Sequence, residues 1–245
     1  MKKILIIGAS GGIGHKVAEI LLSKEYLVTG TYFKNPQKLD DLKTNNKFEV
    51  KYLDLSDLNS INTLYKDTNE DIFAVINCAG IIDFEGDSLE KDFEIWNRTL
   101  AVNLSGNYHL AKTFYDKISE GGRFIMISST DSFCGGATTS SYAVSKAGVN
   151  SLTKSLSLLF AKRKIRVNSV APGWVLTPMI EDNGVEFLDK VADINPLKRN
   201  AKPLDIANLI EFLLSEESNY INGQVIAIEG GYTNQDPTLL IEENL

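Results

Sequence analysis

The sequence predicts an α/β fold: a doubly wound parallel sheet of about seven strands, with helices on both faces, in a single domain. Three observations carry that expectation. Apolar runs of strand length alternate with longer helical patterns. The runs read as apolar rather than alternating, as strands covered on both faces must be. No Pro/Ser-rich linker and no internal repeat divides the 245 residues, so residues 1–245 read as one unit.

The first strand is Ile4–Ile7, and it runs into a glycine cluster. His15–Lys24 then reads as a helix, with Val17, Ile20 and Leu21 at helical spacing. Leu27–Tyr32 and Phe48–Leu53 are the second and third strands. Leu58–Lys66 is a helix capped by Ser56 or Asp57. Ala74–Asn77 is a short apolar strand ahead of Cys-Ala-Gly. Asp92–Lys117 is one long helical pattern carrying Phe93, Trp96, Leu100, Leu104 and Leu110. Arg123–Ser128 is a strand, Ser141–Ala161 a long helix and Ile165–Val170 a strand. Asp205–Leu214 is a helix, and Gln224–Ile228 a last strand before Glu-Gly-Gly-Tyr.

Composition narrows the function. A net charge of −7 argues against a nucleic-acid surface. Two cysteines, Cys78 and Cys134, are too few for a disulfide framework and suit a cytoplasmic protein. The start, Met-Lys-Lys-Ile-Leu-Ile-Ile-Gly, looks briefly like a signal peptide, but its apolar run ends at the glycines and reads as a strand. No apolar stretch approaches the roughly 20 residues of a membrane span, so no membrane partner is expected.

Chemistry concentrates in two places. Tyr142 and Lys146 stand at i, i+4 in Ser-Tyr-Ala-Val-Ser-Lys, thirteen residues after Ser129, so they lie one above the other on a helix. A phenol holds its proton to a pH of about 10. An ammonium about 4–5 Å away would favour phenolate by roughly 3–4 kcal/mol before desolvation opposes it. That makes Tyr142 a candidate general acid and base near neutral pH. The plainer reading is a surface Tyr beside a surface Lys. The second place is the strand–turn–helix from Ile4 to Gly14, with Gly8, Gly12 and Gly14. Backbone N–H groups at such a helix start bind pyrophosphate, although an ordinary glycine turn has the same look. The second strand ends in Thr31-Tyr-Phe-Lys-Asn35, with no acid until Asp40. Lys34 is therefore either a partner for the 2′-phosphate of NADP(H) or a solvated loop lysine.

With these residues in order, the chain resembles the short-chain dehydrogenase/reductases, in the compact form typified by 3-oxoacyl-carrier-protein reductases, over nearly its whole length. The resemblance implies a Rossmann-type sheet and assigns roles. Gly8, Ser10, Gly11, Gly12, Ile13 and Gly14 look like the coenzyme loop. Asp54 and Leu55 are similar to the pair that meets the adenine ring. Asn77, Ala79 and Gly80 resemble an Asn-Asn-Ala-Gly motif in which Cys78 replaces the second Asn. Pro172, Gly173, Val175 and Thr177 resemble the segment that holds the nicotinamide carboxamide. Asn103, Ser129, Tyr142 and Lys146 match the catalytic positions, with Tyr142 as proton donor, Ser129 on the substrate oxygen, Lys146 on the nicotinamide ribose and Asn103 on a water leading to Lys146. Read alone, Asn103 is equally a helix-bending polar residue and Ser129 a polar strand end.

The implied function is hydride transfer between NADP(H) and a ketone or 3-oxoacyl substrate. An NAD-dependent alcohol or sugar dehydrogenase is the alternative, and a non-catalytic dinucleotide sensor the rival from another class. NADP(H) is favoured and NAD(H) remains open, because Gly11 stands where NADP-preferring members often carry a basic residue. The resemblance further implies a homodimer or homotetramer and a substrate lid around residues 178–200. Residues 233–245 form a tail whose Leu239, Leu240 and Ile241 are available to dock on a neighbouring subunit. Lys162-Arg163-Lys164 reads either as a carrier-protein docking spot or as the positive end of a helix. His15 and His109 have no metal-ligand neighbour at a useful spacing, so no metal is expected.

Overall fold

The structure, a computed structural model, describes residues 1–69, 71–180 and 183–234. Seven strands are β1 (Lys3–Ile7), β2 (Leu27–Tyr32), β3 (Phe48–Tyr52), β4 (Ile72–Asn77), β5 (Ile118–Ile127), β6 (Arg166–Pro172) and β7 (Val225–Ile228). They form one sheet in the order β3-β2-β1-β4-β5-β6-β7, and every pairing is parallel. The order reverses between β1 and β4, which opens a crevice at their carboxyl ends.

Among the described residues, seven α-helices connect the strands: α1 (Gly12–Ser23), α2 (Leu58–Asp67), α3 (Leu89–Leu100), α4 (Gly106–Phe114), α5 (Ser140–Phe160), α6 (Val185–Ile194) and α7 (Pro203–Leu214). Strand side chains alternate between faces, and the two cores show it. Ile4 and Ile6 pack with Val17 and Leu21 of α1 and Ile210 of α7. Leu5 and Ile7 face the other way, onto Ile61 of α2, Phe114 of α4 and Phe160 of α5. Each such fully buried side chain contributes about 1.5–3 kcal/mol.

Local chemistry sets the helix starts. Asp57 accepts the Asn59 N–H at 2.9 Å and so caps α2. Pro203 opens α7, where the Asp205 carboxylate reaches back to the Lys202 N–H at 2.7 Å.

Two expected elements need correction. The single helix over Asp92–Lys117 is three pieces: α3 begins earlier, at Leu89 behind the Ser88 cap, a π turn occupies Ala101–Ser105, and α4 ends at Phe114. The strand expected from Arg123 starts at Ile118. Gly121 has a positive φ of 73°, and a register shift between Ile72 and Ala74 absorbs the irregular stretch. Because Gly121 and Gly122 resemble a turn, they conceal the first half of β5. The basic run after α5 is engaged locally: Arg163 donates to the Tyr115 carbonyl, and Lys164 donates to Glu120 at 2.6 Å. The expected docking of Leu239–Ile241 lies outside the described residues.

Arg166 ties the end of α7 to the sheet. Its guanidinium donates to the carbonyls of Leu213 and Ile221, each at 2.8 Å, and to the Ser218 hydroxyl at 2.7 Å. Arg166→Leu keeps the bulk and removes these three bonds, while the Leu213 carbonyl keeps the Ser218 hydroxyl and the Ile221 carbonyl the Asn168 amide as donors. A loss of about 3 kcal/mol is expected, read as a lower urea midpoint at unchanged slope.

Candidate functional site

The crevice is built where main chains touch. β1 ends at Ile7, and the chain turns at Gly8 with φ 76°. The Gly8 N–H donates to Thr31 Oγ1 and the Gly11 N–H to the Gly8 carbonyl, each at 3.0 Å. A Cβ on Gly14 would fall 2.3 Å from the Gly8 oxygen, and one on Gly12 would fall 2.8 Å from the Thr177 methyl. Only hydrogen fits in either place. No side chain caps α1, so its first N–H groups are left for an anion.

A cleft of about 530 Å³ opens over this turn. Gly8, Ser10, Gly11, Gly12 and Ile13 form its floor. Lys34, Asp54 and Leu55 line one end, and Ala79, Gly80 and Thr177 the other. Asp54 is fixed by the Ser56 N–H at 2.9 Å and the Ser56 hydroxyl at 2.6 Å. The pinched glycines, the uncapped helix start and the flanking lysines fit a dinucleotide. A second cavity of about 140 Å³ shares Ile13, Cys78, Gly80, Thr177 and Met179 with the cleft. Ser129, Tyr142, Lys146, Pro172, Gly173 and Val175 line it. The residues expected from distant parts of the sequence therefore converge on one continuous space.

Three expected positions act from behind the lining. Asn77 donates to Asn107 Oδ1 at 2.8 Å and accepts the Ala79 N–H at 3.0 Å. Asn107 donates to the Asn103 carbonyl at 2.7 Å. The Asn103 amide is fully engaged: Oδ1 accepts the Ile81 N–H at 2.9 Å, and Nδ2 donates to the Ile81 carbonyl at 2.8 Å and to Ser145 Oγ at 3.1 Å. Asn103 sits in the π turn, a feature common at functional sites. Gly14 lies inside α1 and works by its lack of a side chain.

The electrostatics of the pair depart from the sequence expectation. Lys146 is buried and donates to the Ile127 carbonyl at 2.8 Å, with its Nζ 5.4 Å from the Tyr142 ring centre. Burial pushes the Tyr142 phenol up to about 12, against the hydrogen bond from Ser129 and with the Asp131 charge adding to the rise. Burial also brings the Lys146 ammonium down to about 8. Desolvation thus dominates both groups. Beside them, burial pushes the Cys78 thiol up to about 12, so Cys78 packs as a small neutral residue.

Sequence reasoning missed several contributors. Lys38 lines the cleft together with Lys34; both lysines follow the second strand, and that was the available signal. Glu85 accepts from the Ser140 hydroxyl and from the Ser141 N–H at 2.8 Å, so it caps the helix that carries Tyr142 and Lys146. No sequence signal links residues so far apart. The expectation about histidines needs correction, because His15, Glu19 and Asp41 lie within 4.8 Å of one another. Glu19 is one helical turn from His15, and the fold brings up Asp41. The group is on the surface, and His15 Nε2 already meets Asp41 at 3.1 Å. In the lid region, α6 sets Phe187 edge-on to Trp174 at 5.2 Å and leaves Val185 exposed.

A family model described as enoyl-(acyl carrier protein) reductase matches residues 8–233. The chain is 32% identical to a 3-oxoacyl-[acyl-carrier-protein] reductase from Rickettsia conorii, over 94% of this chain and 96% of that protein. It is also 32% identical to a (3R)-3-hydroxyacyl-CoA dehydrogenase of Rattus norvegicus, over 93% of this chain and 94% of the relative. Among solved structures, BdcA in complex with NADPH superposes with a TM-score of 0.86 at 25% identity, covering 94% of this chain and 93% of that one.

A buried cation has a consequence for stability. Lys146 holds its proton less firmly in the folded chain than in the unfolded one, so its burial costs stability in full below about pH 8. That cost is relieved as pH rises toward the unfolded value of about 10.4. Lys146→Met should therefore stabilise the coenzyme-free protein at pH 7 by as much as ~3 kcal/mol, with the advantage shrinking by pH 10. Urea unfolding of both proteins across that range checks it.

Proposed function

The chain belongs to the short-chain dehydrogenase/reductase family and is an NAD(P)-dependent enzyme, and from that premise we propose that it interconverts a ketone or 3-oxoacyl substrate and the secondary alcohol, using NADP(H). The observation that carries the proposal is the meeting of Ser129, Tyr142 and Lys146 in a cavity continuous with the dinucleotide cleft.

A nicotinamide dinucleotide held in the cleft over Gly8, Gly12 and Ile13 would supply or take the hydride. The chain's own residues then deal with the oxygen. As negative charge develops there, Tyr142 gives a proton, and in the reverse direction it takes one. Ser129 donates a hydrogen bond to the same oxygen and fixes the carbonyl in place. Its Oγ accepts the Asp131 N–H at 3.2 Å, and the hydroxyl proton now directed at Tyr142 would turn to the substrate oxygen. Lys146 would exchange its bond to the Ile127 carbonyl for the ribose hydroxyls. Its charge would then oppose the burial that holds the Tyr142 proton. Asn103 acts here as a positioning residue, holding Ile81 beside the cavity. All four positions are filled, which favours catalysis over a dinucleotide sensor.

Two lysines at the adenosine end support NADP(H) over NAD(H), because a 2′-phosphate would meet Lys34 and Lys38. The NADPH complex of BdcA is a similar fold with that coenzyme. Exposed Tyr108 on α4, and Val144 and Leu158 on α5, suit pairing of two copies into a homodimer or homotetramer. Among the described residues no helix is long and apolar enough to cross a membrane, and a cytoplasmic location fits the proposal.

Tyr142→Phe should retain NADPH binding while kcat falls about 10²–10⁴-fold; stopped-flow reduction of a ketone panel measures it, and near-wild-type turnover would remove Tyr142 from the reaction. The double change Lys34→Ala with Lys38→Ala should weaken NADPH at least about tenfold and NADH far less. Equal losses by fluorescence titration would point instead to the NAD-dependent alcohol or sugar dehydrogenase.

A further inference from the structure

The cavity beside Tyr142 holds a carboxylate that the proposed reaction does not use. Ile82, Trp174, Val175, Met179 and Ile180 give that cavity an apolar wall, and among the described residues its charged lining residues are Lys146 and Asp131. Lys146 is committed to the coenzyme side. Among the described residues, none donates to the Asp131 carboxylate.

The position of Asp131 is fixed. It lies in the short turn Thr130–Ser132 that follows Ser129. Its N–H is held by Ser129 Oγ at 3.2 Å, and the Ser132 hydroxyl donates to the Ser129 carbonyl at 2.5 Å. Asn150 of α5 donates to Ser132 Oγ at 2.8 Å, and Ser128 donates to Asn150 Oδ1 at 2.6 Å. This chain of bonds ties the turn to the helix that carries Tyr142, so the carboxylate and the reacting group keep a set relation. Among the described residues, no side chain and no backbone N–H donates to that carboxylate, and Lys146 directs its ammonium to Ile127 instead. Burial raises the Asp131 carboxyl above its ordinary value, while Lys146 acts to lower it.

A partly buried acceptor without a donor is costly until something fills it. Where a bound substrate displaces water from this cavity, the group that meets the carboxylate must come with the substrate. A cationic donor would also meet Lys146, and an anionic substrate would meet Asp131 itself. A neutral hydroxyl meets neither penalty. We propose that Asp131 is a specificity-determining residue that accepts a hydrogen bond from a hydroxyl on the carbon next to the substrate carbonyl. The favoured substrates are then hydroxyketones and the corresponding vicinal diols. This rests on the carbonyl–alcohol reading above and narrows it to the ketone side.

The test compares matched ketones: 1-hydroxy-2-butanone against 2-butanone, and 2-hydroxycyclohexanone against cyclohexanone. Each is assayed with NADPH and with NADH, for the wild type and for Asp131→Ala and Asp131→Asn. The wild type should prefer the hydroxylated member of each pair by about 10–100-fold in kcat/KM. Asp131→Ala should bring that ratio close to one. Asp131→Asn, which keeps the shape and one acceptor oxygen, should fall between them, and its thermal melt establishes that the variant is folded. A wild-type ratio near one, or a ratio unchanged in folded Asp131→Asn and Asp131→Ala, overturns this proposal alone. Absence of turnover of every ketone with either coenzyme overturns the carbonyl–alcohol reading and this proposal with it.

Discussion

The site depends on a cation kept out of water. Lys146 is 3% exposed, and its ammonium donates to the Ile127 carbonyl at the end of β5. No carboxylate of a described residue lies within ion-pair distance of it. Burial therefore weakens its hold on the proton, down to about 8, and the fold carries that cost. A surface lysine would cost nothing there and would also do little, because a solvated charge 5 Å from a phenol is screened. The same dryness lifts the Tyr142 phenol to about 12. Without coenzyme the phenol keeps its proton and Lys146 holds its charge below about pH 8, so the cation is the charge the site carries at neutral pH.

What keeps this pocket dry is close approach of backbone. A Cβ on Gly80 would sit 3.3 Å from Lys146 Nζ and 3.4 Å from Asn103 Oδ1. A Cβ on Gly148 of α5 would sit 2.8 Å from Leu104 of the π turn. The strand ends, the π turn and α5 meet through these two glycines. Side chains of ordinary size would separate them and admit water between Lys146 and its neighbours.

The sheet was legible where strands are apolar runs bounded by turn residues, as β1, β4 and β6 are, because burial on both faces demands that pattern. The site was legible where one short segment carries the chemistry, as at Tyr142 and Lys146 or at Gly8 to Gly14. It was illegible where the chemistry depends on environment. The i, i+4 spacing announces the Tyr–Lys pair, but desolvation is a property of what surrounds it. Lys38 went unread because its approach to the cleft depends on the path of the chain after β2. Glu85 went unread because it caps a helix that starts 55 residues later. Asp131 lay in a loop that no motif fixes, and only the bonds from Ser132 and Asn150 show that its place is set.

The misread helix is the most instructive case. From Asp92 to Phe114 the apolar positions follow a helical period well enough to suggest one rod. Asn103 and Asn107 interrupt the pattern, and in an uninterrupted amphipathic helix such residues belong on the wet side. Here both are buried, at 0% and 2% exposure. Burial of two amides is tolerable only if their hydrogen bonds are made. The π turn at Ala101–Ser105 inserts the extra residue that shifts the face. It aims Asn103 at Ile81 and Ser145, and it places the Asn103 carbonyl within 2.7 Å of the Asn107 amide. Asn77 at the end of β4 completes the line. The polar intrusion and the broken helix are thus one device: a strap of three asparagines that joins the sheet end, α4 and the loop at Ile81, so that the floor of the cavity is held by hydrogen bonds where apolar packing alone would leave it free to slide.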